Sequence, residues 1–166
     1  MGPAEAVRPP VPGRCEADGV ATISDLTRDD WDDWHGLWGG YLAFYRAELS
    51  AETTRATFGR LCAGDDGMFG LIGLDEEGRG IGLAHCATSA TSWSREPTCY
   101  LEDLFVAPAA RGGDLGRALL AAVKAQATAR GAGRVDWHTQ QYNGRARSLY
   151  DQVGRLTSFV VYEMDL

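Results

Sequence analysis

What this 166-residue chain has little of narrows its function before any motif does. No uninterrupted apolar stretch approaches the ~20 residues a bilayer-spanning helix needs. The opening MGPAEAVRPPVPG lacks an apolar signal core. Together these absences predict a soluble, cytoplasmic protein with no membrane partner. The four cysteines, Cys15, Cys62, Cys86 and Cys99, include no C-x-x-C pair, so neither zinc nor disulfides are expected and the metal prediction is none. Cys86 and Cys99 lie in apolar runs and read as small buried hydrophobes.

Positive charge is also in deficit. Lys and Arg number 16 against 23 Asp and Glu, for a net charge of −7 and a pI near 4.9. An acidic surface repels nucleic acid and attracts cations. Nucleic-acid binding is therefore disfavoured, while a small amine fits, as does a charge balance that serves solubility alone. Two nucleotide motifs are missing as well. Gly116 is followed by Arg117-Ala118 rather than the Lys-Ser/Thr of a Walker A loop. The GRGIG glycines, Gly78, Gly80 and Gly82, lack the third glycine of a dinucleotide fingerprint and read as turn residues.

What is present describes one domain. The chain is 45% hydrophobic and 23% charged, an ordinary globular balance. Residues 1–19 are proline-rich and aperiodic, a disordered tail ahead of a single domain at 20–166. A short strand is expected at 21–26. Trp31, Trp34, Leu37, Trp38, Tyr41, Leu42 and Tyr45 then recur at helical spacing, with Gly39-Gly40 expected to divide the helix. A second helix follows at 51–61. Two apolar runs, 68–74 and 80–87, flank DEEGR as a hairpin, and a strand is expected at 99–106. A turn and helix spanning 111 to about 130, a strand at 135–139, a helix at 144–153 and an alternating closing strand at 158–164 complete the pattern. The order β-αα-β-β-β-α-β-α-β predicts an α/β (α+β) domain with a mixed sheet and helices on both faces.

The densest stretch is VAPAARGGDLGRALL at 106–120, an apolar strand running through a glycine-rich turn into an amphipathic helix. Such a turn gathers backbone N–H groups at the positive end of a helix dipole, where phosphate-type anions bind. Just before it, YLEDLFV places Glu102 and Asp103 on the strand. Simple alternation puts Glu102 on one face with Tyr100 and Leu104, and Asp103 on the other as the more structural acid. His85 and His138, both in strands, read as packed residues.

These motifs resemble the GNAT superfamily of acetyl-CoA-dependent N-acetyltransferases. The family pattern Arg/Gln-x-x-Gly-x-Gly/Ala is matched at Arg111-Gly112-Gly113-Asp114-Leu115-Gly116, with Asp114 where the family has its central glycine. Its later Asn, Leu/Phe-Tyr and Gly are matched at Asn143, Ala146, Leu149-Tyr150 and Gly154. YLEDLFV, VDWHTQQYNGRARSLYDQVG and GYLAFYR are similar to the spermidine/spermine and histone/polyamine acetyltransferase group. The resemblance implies the GNAT fold, a mixed, mostly antiparallel central sheet flanked by helices on both faces. It implies acetyl-CoA as donor, held by Leu104, Phe105, Val106, Arg111, Gly112, Gly113, Asp114, Leu115, Gly116, Arg117, Asn143, Ala146 and Tyr150. It implies Glu102 as general base and Tyr150 as general acid, a small-molecule amine acceptor and a homodimer. Trp34, Trp38, Tyr41 and Tyr45 read mainly as core, with one edge of the stripe (Trp34, Trp38 and Tyr41) expected to line the acceptor pocket beside Glu102 and Asp103, where ring faces can hold a cation. At the level of sequence an N-acetyltransferase and a non-catalytic acyl-CoA-binding sensor on the same fold both remain open. The Asp114 carboxylate, where a diphosphate is expected, gives the second its footing.

Overall fold

The computed structural model describes residues 21–166 and the backbone of the short strand Cys15–Glu16. Residues 1–14 and 17–20, most of the expected tail, lie outside the described residues. In chain order the elements are β1 (Cys15–Glu16), β2 (Thr22–Asp25), α1 (Trp31–Tyr45), α2 (Ala51–Ala63), β3 (Met68–Leu74), β4 (Gly80–Ser89), β5 (Thr98–Val106), α3 (Leu115–Ala129), β6 (Arg134–Asp136) and α4 (Gly144–Val153). The strands form one sheet in sequential order. Neighbours from β1 to β5 pair antiparallel, and β6 pairs parallel with β5. No helix among the described residues is long and apolar enough to cross a membrane.

The two faces of the sheet carry separate cores, as strand alternation requires. On one face Phe69, Leu71, Ala84, Cys86, Cys99 and Leu101 meet Leu115, Leu119, Leu120 and Val123 of α3. On the other, Ile72, Leu83 and Phe105 meet Trp34, Leu37 and Trp38 of α1 and Phe58 and Leu61 of α2. Local signals start the helices. Ser50 Oγ accepts from Thr53 N at 3.0 Å to cap α2, and the Asp30 carboxylate accepts from Thr27 N and Oγ1 at 2.7 Å just before α1.

Three expectations are corrected here. Gly39-Gly40 does not divide α1, which runs unbroken through both. A Cβ on Gly40 would lie 3.0 Å from the Phe105 ring, so this glycine admits a close neighbour and ends nothing. Of the GRGIG glycines only Gly78 is a turn residue, at φ +79°, whereas Gly82 lies under α3. The segment 158–164 forms no strand. Phe159, Val160, Tyr162 and Met164 are all more than 70% exposed, and no strand among the described residues lies beside them. The strand that ends the sheet, β6, has no partner on its outer edge among the described residues.

At Gly82 an added methyl would meet Phe105 O at 3.0 Å and the side chains of Leu115 and Leu119 at 3.1 Å. Gly82→Ala is expected to destabilise the fold by about 1–3 kcal/mol through overpacking. Equilibrium denaturation checks this, and an unchanged midpoint contradicts it.

Candidate active site

The site is created where strand pairing stops. β6 pairs only with Thr98, Cys99 and Tyr100, so from Leu101 onward that edge of β5 has no neighbouring strand. A second irregularity lies in the same place. Asp103 pairs with His85 and Leu101 with Cys86, which leaves Glu102 opposite no residue of β4. This is a β-bulge, and it reverses which side chains face which way. Cys99 and Leu101 belong to the α3 face, yet beyond the bulge Leu104 and Val106 pack there instead. Asp103 and Phe105 are thereby turned toward α1. Placing Asp103 on the face away from Glu102 is corrected by this bulge.

On the α1 side Asp103 is held tightly. His85 Nδ1 lies 2.9 Å from Asp103 Oδ2, and Trp34 Nε1–H donates to His85 Nε2 at 2.8 Å. The Tyr41 hydroxyl also faces the Asp103 carboxylate. Burial first, and then that carboxylate, push the Tyr41 phenol pKa upward. Glu102 is exposed at the bulge, yet enough of its surroundings exclude water to raise its carboxyl above the usual glutamate range. Asp103 raises it further, while His85 and His138 pull it back. His138 is exposed and hydrogen-bonded through Nδ1 to the Tyr100 hydroxyl at 2.8 Å, which corrects its reading as a packed residue.

Tyr150 approaches from the opposite face. Its ring packs with the α3-side core and lies edge-on to Trp137 at 5.4 Å between centroids. Burial, with a smaller contribution from Tyr45, pushes its phenol up to about 12. The Tyr45 contribution brings the end of α1 near Tyr150 of α4. Tyr150 thus stays protonated across the working pH range and is available as a proton donor.

The glycine-rich turn lies after β5. Gly112 takes φ +103°, a left-handed conformation that favours glycine, and Cβ atoms built on Gly112 or Gly113 meet nothing within 4 Å. Their backbone is open, and the first-turn N–H groups of α3 have no intrahelical acceptor. These features fit a phosphate-bearing group. Asp114 stands at the N-cap position but makes no side-chain cap bond and is exposed.

Other expected donor-site residues have structural occupations. Arg111 Nε donates to Val106 O at 2.8 Å, with its guanidinium 5.4 Å from the centre of the Phe105 ring. Arg117 bonds Gln152 of α4. Gly116 lets α4 approach, since a Cβ there would lie 3.1 Å from Leu149. Asn143 caps α4, accepting from Ala146 N at 3.3 Å. Leu104, Phe105 and Val106 present the open edge of β5, and Leu115 is buried under the turn.

Trp34 and Trp38 are corrected as acceptor-lining residues. At 0% and 6% exposure they are core, stacked on each other with centroids 5.9 Å apart. Of the aromatic stripe, Tyr41 and Tyr45 border the cleft. Reasoning from sequence missed His85 as the partner of Asp103. Strand register was the only signal that could have found it, and the bulge at Glu102 hides that register.

Comparisons with known proteins agree with this geometry. Residues 23–154 match the family described as the acetyltransferase (GNAT) family. The chain is 35% identical over 142 residues to the D-amino-acid N-acetyltransferase HPA3 of Saccharomyces cerevisiae, covering 85% of this chain and 88% of that protein. It is 32% identical over 128 residues to the uncharacterized N-acetyltransferase YhfO of Bacillus subtilis, covering 76% and 85%. The solved structure of AAC(6')-Iy with the bisubstrate analog CoA-S-monomethyl-acetylneamine superposes with a TM-score of 0.76 at 19% identity. That match covers 88% of this chain and 98% of the other, and it supports the fold. The splayed sheet, the open glycine turn and the sequence relationships agree: the chain belongs to the GNAT acetyltransferase family and is an N-acetyltransferase with acetyl-CoA as its acyl donor.

Proposed function

We propose that this protein acetylates a primary amine of a small cationic acceptor by direct attack, with Glu102 as general base and Tyr150 as general acid. The observation that carries this reading is the bulge. It sets the Glu102 carboxyl, its pKa raised, beside Asp103 at the open edge of β5, and the protonated Tyr150 phenol of α4 supports the reading as proton donor. An amine with a lysine-like pKa is neutral in only about one molecule in 2,500 at pH 7. It must lose a proton before it can attack, and Glu102 receives that proton directly or through water. Acetyl-CoA supplies the thioester whose carbonyl carbon the amine nitrogen attacks, so that the C–N bond forms and the C–S bond breaks. Tyr150 gives its proton to the departing sulfur, and the second proton lost from the nitrogen as the amide forms restores the phenol through water; backbone donors along Leu104, Phe105 and Val106 orient the acyl arm. No cysteine is needed, since no acyl-enzyme forms.

The curated relative from yeast acts on D-amino acids by its name, and AAC(6')-Iy was solved with an aminoglycoside-derived analog. Both ligand types carry an ammonium group, which supports an amine acceptor here. The motif likeness to the spermidine/spermine and histone/polyamine group, together with two acids and two tyrosines at the cleft, favours acceptors rich in positive charge. The same reading includes a homodimer. The exposed, alternating segment 158–164 and the outer edge of β6, unpaired among the described residues, support pairing with a second copy of this chain.

Glu102→Gln is expected to lower kcat/KM at neutral pH by about 10²–10⁴-fold. Part of the loss should return at alkaline pH, where free amine accumulates. The wild-type acid limb should fall at a pH above the ordinary glutamate value, because Glu102 works ionised and its pKa is raised. An unchanged pH–rate profile in the variant removes Glu102 from the mechanism. Asp114→Gly is expected to lower the KM for acetyl-CoA about 2- to 5-fold by removing a like charge at a helix N-terminus. Unaltered affinity by titration calorimetry shows the carboxylate pointing away. Ending the chain after Arg155 is expected to halve the mass measured by light scattering. A full-length chain that is already monomeric overturns the dimer.

A further inference from the structure

We propose that His85 is a positioning residue: Trp34 locks it in the Nδ1–H form, and it holds the Asp103 carboxylate at the cleft to receive the acceptor's ammonium. The proposal rests on the amine-transfer reading above but uses different residues from its acid and base.

The tautomer follows from donor arithmetic. An indole N–H can only donate, so the 2.8 Å contact from Trp34 Nε1 requires a lone pair on His85 Nε2. The single imidazole proton therefore sits on Nδ1, where it donates to Asp103 Oδ2 at 2.9 Å. The ring has little freedom to flip or to exchange with water. His85 is 1% exposed and Trp34 0%, and the Trp34 and Trp38 rings lie 5.9 and 5.2 Å from the imidazole centre. His85 and Asp103 are also direct cross-strand partners, at the step where the register shifts.

The arrangement spends a buried histidine on a carboxylate that the core does not need. Asp103 is 18% exposed at its side chain, so part of it reaches the cleft. A carboxylate has about four lone-pair positions. His85 takes one and the Tyr41 hydroxyl faces another, which leaves the exposed side free for a cation. The labour is thereby divided between adjacent acids. Asp103 is pinned and binds charge, while Glu102, unpaired at the bulge, takes the proton.

Two substitutions separate positioning from packing. In His85→Asn the side-chain amide nitrogen falls near the Nδ1 position, so it can donate to Asp103 but cannot accept from Trp34. In His85→Gln the amide reaches the Nε2 position, so it can accept from Trp34 but leaves Asp103 without its donor. Compared at equal folded fraction, His85→Gln is expected to raise the KM for spermidine by about 10- to 100-fold, the loss of a hydrogen bond to a charged group. The KM for acetyl-CoA should not move. His85→Asn should stay within about threefold of wild type, as expected for a change that keeps the donor. Equal effects of the two variants, or losses that simply follow thermal stability, overturn the proposal.

Nitrogen-15 NMR of the wild-type imidazole supplies a readout that needs no turnover. The Nδ1–H form is expected, and titration with spermidine should shift Nδ1 in wild type and in Glu102→Gln alike. An Nε2–H form, or an imidazole indifferent to the amine, overturns the proposal. If Glu102→Gln leaves the rate unchanged while the His85 variants behave as stated, the base assignment falls and this one stands.

Discussion

The parting of β5 from β6 is the constraint on which the rest of this structure depends. A parallel pair that continued past Tyr100 and Asp136 would fill its edge with backbone hydrogen bonds and leave nothing for a ligand. The separation has a side-chain cause. Trp137, the residue after β6, is drawn against Tyr150, and Gly154 approaches it so closely that a Cβ there would lie 2.7 Å from the indole. Packing on α4 thus begins where strand pairing ends. The same contact places the Tyr150 phenol beside the opening.

Electrostatics inside the cleft follow from its walls. Two carboxylates sit on adjacent residues of β5, which would be unfavourable if both relied on water alone. Their environments differ instead. Asp103 has a histidine donor and a facing phenol, whereas Glu102 bears partial burial and its neighbour's charge. Adjacent groups of the same chemistry are thereby made unlike. That difference is what acid–base chemistry at neutral pH requires.

Much of this was legible in the sequence. The helical recurrence from Trp31 to Tyr45, the paired apolar runs of β3 and β4, and α4 with its Asn143 start were read nearly to the residue. Local rules govern these features: period, turn residues and caps. The misreadings share a non-local origin. Gly39-Gly40 looked like a break because the reason for Gly40 is Phe105, which is 65 positions away in the chain. Asp103 was assigned to the wrong face because a bulge leaves no mark in strand alternation. Trp34 and Trp38 looked like candidate pocket walls because period tells which face a residue occupies, not how deep it lies. The alternation at 158–164 is genuine, but alternation describes a strand's two faces and says nothing about who sits beside it.

Gly116 has a mechanical consequence. With no side chain there, Leu149 seats directly on the first turn of α3, and Arg117 clasps Gln152 just beyond. The glycine-rich turn after β5 and the helix that carries Tyr150 are therefore geared together. The protein behaves at this point like a fixed caliper. On the roles proposed for the turn and the phenol, a donor has to span from one to the other, whatever its affinity for the turn.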